Sequence, residues 1–399
     1  MQSPSQSASD PLARLRNRVR SGEAVVAGVL SGTSADGIDV ALTRFEPSET
    51  DGPGRPICQA FRTIAFQSDL RERLRRVLDG TPPSLAELAR LDRDLGRAFG
   101  AAARELAQES GLELDLVASH GQTIWHHDGS PGGAATLQVG DGCEVAEAAG
   151  VSAVSDFRTR DIAAGGEGAP LLALVEAELF PAHPRPLAVL NLGGISNLTW
   201  LTEEPSCVLT LDTGPAGSLL DGFSRRLLDR PFDVSGAVAA QGDSSEELVR
   251  AWGAHPFFAT KPPRSTGRDT FGEEWVDRLL EEGPKNWRPE DALRTAVEFV
   301  AECVARSLRD FVAGAAGAPM AVAGGGVHNA ALMRALKERC TTRVESSAHF
   351  GVDPDSREAV AFAVLGARQV LGWPSTIPGC TGAAGGRVLG KLSLIAKLG

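Results

Sequence analysis

Six carboxylates sit where chemistry could be done: Asp36, Asp39, Asp156, Asp161, Asp212 and Glu358. Asp212 differs from the others because it ends the apolar run 207–211 and opens the turn Asp212-Thr213-Gly214-Pro215. A carboxylate at the C-terminal end of a strand is where α/β proteins build their sites, and one placed there can take a proton from water. Asp36, in the turn after the first strand, could cap that turn or help hold a hydrated magnesium ion. The segment Asp156-Phe157-Arg158-Thr159-Arg160-Asp161 sets two arginines among carboxylates. Guanidinium forks suit carboxylate or phosphate recognition, but an ion-paired surface loop fits the same spacing. His120 follows an apolar run and precedes a glycine, so it could hydrogen-bond a sugar or act in acid–base chemistry. His126 and His127 are adjacent and on a strand would face opposite sides. No HExxH or comparable His/carboxylate spacing is present, which argues against a transition-metal site made by protein alone.

Three small-residue turns each follow an apolar run: Ser31-Gly32-Thr33-Ser34, residues 212–215, and Gly324-Gly325-Gly326. Successive backbone N–H groups in such turns form concave nests for phosphate. One alone is an ordinary tight turn; three in one chain point to a nucleotide. The familiar phosphate motifs fail. Residues 385–392 (GGRVLGKL) have P-loop spacing, but Leu392 stands where Ser or Thr must bind magnesium. No GxGxxG follows a strand.

The elements that must carry these residues are legible as a mixed α/β pattern. Residues 24–30 and 38–45 read as strands around a glycine turn, and 114–119 as a further buried strand. Ser84 starts a helix, with Glu87 completing a capping box and Leu85, Leu88, Leu91, Leu95, Phe99 and Leu106 forming its apolar stripe. The second half repeats the opening: strand 187–192, the turn Gly193-Gly194-Ile195-Ser196, return strand 197–201, then strand 207–211. Val297, Val300, Val304, Leu308 and Phe311 mark a long helix before the strand 321–323. This is a weak internal repeat, read as two similar α/β lobes.

Composition narrows the partners. The chain of 399 residues has 40 basic and 51 acidic side chains, a net charge of −11, which argues against a phosphate-backbone binder. Glycine, at 45 residues, is in excess, consistent with many tight turns. The six cysteines form no CxxC pair, and no apolar run approaches the ~20 residues of a membrane span. Residues 1–22 lack the apolar core of a secretory signal and read as a mobile polar extension. A cytoplasmic protein is expected.

Taken together, nine segments in order resemble the anhydro-N-acetylmuramic acid kinase family, from about Val25 to Leu392. They are residues 28–39, 119–123, 156–170, 191–197, 211–215, 265–269, 323–329, 358–363 and 381–383. The resemblance implies the two-lobed actin/Hsp70/sugar-kinase architecture, a duplicated RNase H-like α/β fold with a nucleotide cleft between the lobes. The implied lobes are 23–155 with 376–399, and 156–375. It implies ATP and Mg²⁺ as cofactors, 1,6-anhydro-N-acetylmuramic acid as substrate, and hydrolytic opening of the anhydro ring as O6 is phosphorylated. The product, N-acetylmuramic acid 6-phosphate, belongs to peptidoglycan recycling. Asp212 then matches the catalytic base. His120, Thr123, Arg160, Asn197 and Glu358 match the sugar side, with Arg160 suited to the lactyl carboxylate. Ser31, Gly32, Thr33, Ser34, Asp36, Gly37, Gly193, Gly214, Gly324, Gly325, Gly326 and Asn329 match the ATP side. Gly214-Pro215-Ala216-Gly217 departs from the family's Gly-Pro-Gly-Asn and removes one amide near the phosphates. A kinase of another amino sugar, or a nucleotide-binding regulator without turnover, are the alternatives. A homodimer is compatible with the resemblance; neither nucleic acid nor membrane is an expected partner.

Overall fold

The computed structural model describes residues 10–32, 35, 37–48, 52–127, 133–180, 183–204, 208–262 and 264–395, without the side chains of Arg268 and Asp269. Thr33, Ser34 and Asp36, three of the residues expected to hold phosphate or magnesium, lie outside the described residues. The chain divides into two compact units: Met1–Pro181 with Ser356–Gly399, and Ala182–Asp355.

The first unit is built on one sheet. Strands β1 (Val26–Leu30), β2 (Gly37–Phe45) and β3 (Pro56–Ala65) form an antiparallel meander. Strands β4 (Leu116–His127) and β6 (Ala153–Ser155) then run parallel to β1, with β5 (Ala135–Val139) folded back on β4. A terminal strand β12 (Lys391–Ser393) closes the β6 edge, so the path is β12-β6-β4-β1-β2-β3. β1 is buried at every residue, as its unbroken apolar run requires. β3 is mostly exposed or half-buried, and for that reason carries no alternating pattern that would reveal it in sequence.

In the second unit, β7 (Leu187–Leu192), β8 (Ile195–Leu201) and β9 (Leu209–Pro215) form the same meander. Strands β10 (Pro319–Ala323) and β11 (Arg343–Ser346) run parallel to β7, giving β11-β10-β7-β8-β9. The shared order and shared senses of pairing bear out the duplicated RNase H-like α/β architecture.

Helices cover the sheets. Helix α1 (Pro11–Arg20) lies within the segment expected to be a mobile extension; it is capped by Asp10 and buries Leu15 and Val19. Two apolar residues four positions apart suffice to dock one helix face, a signal hidden among its four arginines. Helix α2 (Leu85–Glu109) has the expected capping box and buries Leu91, Leu95, Phe99 and Leu106. In the second unit, α4 (Gly217–Leu228) and α5 (Pro289–Phe311) enclose an aromatic core of Phe223, Trp252, Phe258, Phe271, Trp275 and Phe299. Helix α6 (Ala330–Arg339) packs beside α5.

The last long helix, α7 (Arg357–Leu371), returns to the first unit and packs on β1. A side chain on Gly28 would place its Cβ 1.7 Å from the Ala359 carbonyl oxygen, so only glycine permits this approach. The expected second lobe, 156–375, therefore loses residues 156–181 and 356–375 to the first unit. Long-range contacts of α7, and of Asp161 with Thr381, hold those segments there.

Candidate functional site

In the second unit the carboxyl ends of β7, β9 and β10 share one sheet edge, and the glycine turns lie there. Residues 212–215 were expected to turn; β9 instead continues through Pro215. Asp212 pairs with Asn197, which pairs in turn with Asn191, across a register shift in β8. Cross-strand partners share a face, so these three polar residues form a row. Asp212 Oδ2 accepts from the Thr266 N–H at 2.8 Å, and its main chain is clamped on both sides by Arg264. Arg264 is buried and gives all three of its guanidinium nitrogens to neutral oxygens: Nε to the Asp212 carbonyl, Nη1 to carbonyls of Phe257, Phe258 and Thr260, Nη2 to Ser307. Sequence reading missed it; nothing in its local pattern marks an arginine spent on carbonyls.

The next residues are equally fixed. Thr213 and Ser196 hydroxyls bond each other, and Ser196 also reaches the Gly214 carbonyl. Gly214 has φ +146°, and a Cβ there would meet the Phe258 ring at 3.0 Å. The N–H groups of Ala216, Gly217 and Ser218 bond the Gly193 and Gly194 carbonyls, tying the start of α4 to the β7–β8 turn. Ala216 has φ −137°, so alanine here is free of left-handed strain. Gly324 has φ +83°, with no room for a Cβ beside Asn191 and Leu192, whereas Gly325 faces open space. Asn329 Oδ1 accepts from the Leu332 N–H and caps α6.

In the first unit the corresponding edge carries charge. Ser31, just after β1, is buried, and among the described residues its hydroxyl has no hydrogen-bond partner; the same holds for Ser119 Oγ. Gly32 faces open space. Thr123 accepts from Gln138 Nε2 at 3.1 Å. His120 is buried under Phe362, its Nδ1 3.1 Å from the Gly121 carbonyl and its Nε2 accepting from Arg158 Nε at 3.0 Å. An arginine only donates and a carbonyl only accepts, so the imidazole is neutral with its proton on Nδ1. Burial and the neighbouring Arg158 lower its pKa to about 3, which removes it as a proton donor at neutral pH.

Asp161 is fully buried and accepts from Thr381 Oγ1 and the Gly168 N–H, pinning the glycine loop 165–168. It is structural. Asp156, against the opposing effect of burial, is held below the usual carboxylate range by Lys391 and Thr159. Arg160 is exposed on the short helix α3 (Thr159–Ala163) and bonds nothing among the described residues. Glu358 lies in the first turn of α7. Burial raises its pKa, Arg357 and Arg158 oppose that rise, and Asp39 and Glu176 add to it. Asp39 accepts from Thr63 Oγ1 at 2.6 Å. Behind Glu358, Arg357 and Glu176 form a buried ion pair. No group of three or more metal-binding side chains occurs among the described residues. Magnesium keeps several waters and takes few protein ligands, so that finding is compatible with a phosphate-borne ion.

Two units of one topology, with glycine turns and a fixed carboxylate at the carboxyl ends of their strands, define the class of duplicated RNase H-like folds. The family model described as anhydro-N-acetylmuramic acid kinase matches residues 24–394, and the chain belongs to that family, a family of sugar kinases. It is 42% identical over 371 residues to the anhydro-N-acetylmuramic acid kinase of Xanthomonas oryzae pv. oryzae, covering 92% of this chain and 96% of that one. It is 37% identical over 398 residues to the enzyme of that name from Salinibacter ruber, covering 96% and 99%. Among solved structures, the activator of the 2-hydroxyisocaproyl-CoA dehydratase from Clostridium difficile aligns with TM-score 0.41 and 14% identity over 87% of this chain and 95% of that one. Among the described residues no helix is long and apolar enough to cross a membrane.

Proposed function

We propose that the chain uses ATP and water to convert 1,6-anhydro-N-acetylmuramic acid to N-acetylmuramic acid 6-phosphate, releasing ADP. The observation that carries the reading is Asp212, a half-exposed carboxylate fixed by Thr266 and Arg264 in a polar row at the glycine-lined edge of its sheet. Asp212 takes a proton from water as the water oxygen bonds to the anomeric carbon, the chemistry of an inverting glycosidase. The C1–O6 bond breaks and O6 takes the γ-phosphoryl group, so no separate acid is needed for the leaving oxygen. Phosphoryl transfer asks the protein chiefly for positioning and charge neutralisation.

Ser31, Gly32, Thr33, Ser34, Asp36 and Gly37 are assigned to the phosphates, with Gly193, Gly214, Gly324, Gly325, Gly326 and Asn329 on the nucleotide. The unused Ser31 hydroxyl and the open space over Gly32 and Gly325 support that assignment. Mg²⁺, when bound, neutralises phosphate charge; Asp36 is the residue assigned to its hydrated shell. Thr123, Asn197 and Glu358 are assigned to the sugar. The reaction belongs to cell-wall recycling in the cytoplasm, and a homodimer is the proposed assembly. The test is incubation with ATP, Mg²⁺ and the anhydro sugar, read by mass spectrometry. A product heavier by one phosphoryl group and one water is expected. A phosphoryl group without water would make the protein a simple kinase, and ATP binding without product would make it a regulator.

A further inference from the structure

Strand β9 lies at the edge of its sheet, so among the described residues its side away from β8 has no strand to bond. At Asp212 a single residue fills that place. The Asp212 N–H donates to the Arg264 carbonyl at 3.1 Å, and Arg264 Nε donates to the Asp212 carbonyl at 2.9 Å. Two residues on, the Thr266 N–H reaches the carboxylate itself. The segment 264–266 therefore sets both the main chain and the side chain of Asp212.

The far end of Arg264 is anchored away from the strand. Nη1 donates to the Thr260 carbonyl at 3.1 Å and, at 3.5 Å, to those of Phe257 and Phe258, in and just after the short helical turn Pro256–Ala259. Nη2 donates to Ser307 Oγ at 2.9 Å, and Ser307 donates in turn to the Cys303 carbonyl within α5. The guanidinium carbon lies 4.7 Å from the centre of the Phe257 ring and 4.9 Å from that of Phe311. Asp212 and Asp310 act on its charge from beyond ion-pair distance, against Arg306. A planar fork bonds in fixed directions, so it joins β9, the 256–260 turn and α5 rigidly, as a flexible ammonium would not.

We infer that Arg264 is a positioning residue for the reaction: it stands in for a neighbouring strand at Asp212 and ties the base to α5 and the 256–260 turn, so that the carboxylate is held where it meets water. The inference rests on the kinase reading, in which Asp212 is the base. A misplacement of about 1 Å costs about 100-fold in rate.

The experiment measures kcat of the full chain with ATP, Mg²⁺ and the anhydro sugar, beside calorimetric affinities for ADP and for the sugar. Arg264→Met keeps the bulk and removes the fork; it is expected to lower kcat about 10- to 100-fold with both affinities kept. Arg264→Lys, which keeps a donor and a cation between the two rings, should recover part of that loss. In an Asp212→Asn background, Arg264→Met should lower kcat no further, because both changes act on one group. A merely structural residue would weaken both ligands and add its loss to that of Asp212→Asn. Should Arg264→Met fail to fold, Ser307→Ala carries the test: it removes one anchor of the fork, with an expected loss in kcat of about 2- to 10-fold that also vanishes in the Asp212→Asn background. An unchanged kcat, a loss that adds to that of Asp212→Asn, or an equal weakening of both ligands overturns the inference. Amide hydrogen exchange at Asp212 and Thr266 separates its failure from that of the kinase reading. Faster exchange at both amides in Arg264→Met supports the clamp even where the unmodified chain forms no product, and unchanged exchange overturns it.

Discussion

The two sheet edges have the same strand topology and hold their side chains by different means. In the second unit the candidate base is set by backbone: Thr266 N–H, the Arg264 clamp on its main chain, and the hydroxyl pair of Ser196 and Thr213. Few charges are buried with it, and an aromatic core supports it from below. In the first unit the edge is a set of half-desolvated charges, Arg158, Glu358 and Asp39, arranged around a neutral histidine and a buried ion pair. The difference teaches that a duplicated scaffold conserves where a site is built and leaves its electrostatics to each copy. A backbone-set carboxylate keeps its place whatever its charge. A charge-set edge responds to every neighbour.

The sharpest test of the backbone-set edge is Asp212→Asn. The amide oxygen can still accept from Thr266, so fold and ligand affinity should be kept while kcat falls about 10²- to 10⁴-fold, the usual worth of a general base. Loss of the folded state instead would mean that the carboxylate charge, not the backbone, holds this edge.

Glu176→Gln probes the other edge. It leaves Arg357 buried opposite a neutral group, and breaking such a pair costs about 3–5 kcal/mol. Chemical denaturation should show that loss. A near-neutral result would remove buried charge as the organising feature of the first unit.

Gly28→Ala separates packing from charge. Its Cβ would meet the Ala359 carbonyl at 1.7 Å, so α7 must move off β1 and take Glu358 with it. Overpacking of this kind costs about 3 kcal/mol, and KM for the sugar should rise more than KM for ATP. Equal changes in both would detach Glu358 from sugar binding.

A further effect is graded with acid. In the folded chain the pKa of His120, about 3, lies below the ordinary histidine value of 6.5. Below pH 6.5 the unfolded chain therefore takes up a proton that the folded one refuses. Stability is complete above that pH and falls between pH 6.5 and 3, by at most about 1.4 kcal/mol per pH unit. His120→Gln should flatten this limb of the stability curve. An unchanged limb would assign it to other groups.

Much of this arrangement was legible in the chain. The strand–glycine–strand repeats at 24–45 and 187–201 became the β1–β2 and β7–β8 hairpins, and the capping box at Ser84 and Glu87 formed as read. Asp212 stood out because an acidic residue ended an apolar run. Strand β3 and helix α1 escaped notice because one is exposed on both faces and the other docks through two residues among many charges. The end of β9 was misplaced because glycine and proline read as a turn, although at a strand's last residues both are tolerated.

Local pattern determined the class of elements, their duplicated order, the glycine turns and the candidate base, because apolar periodicity and turn chemistry act over a few residues. Only the tertiary structure decided which of two arginines is exposed, that His120 is a neutral acceptor, and that α7 delivers Glu358 to the first unit. Those outcomes depend on desolvation and on partners far apart in the chain, such as Asp161 with Thr381 and Gly28 with Ala359, and no spacing rule encodes them.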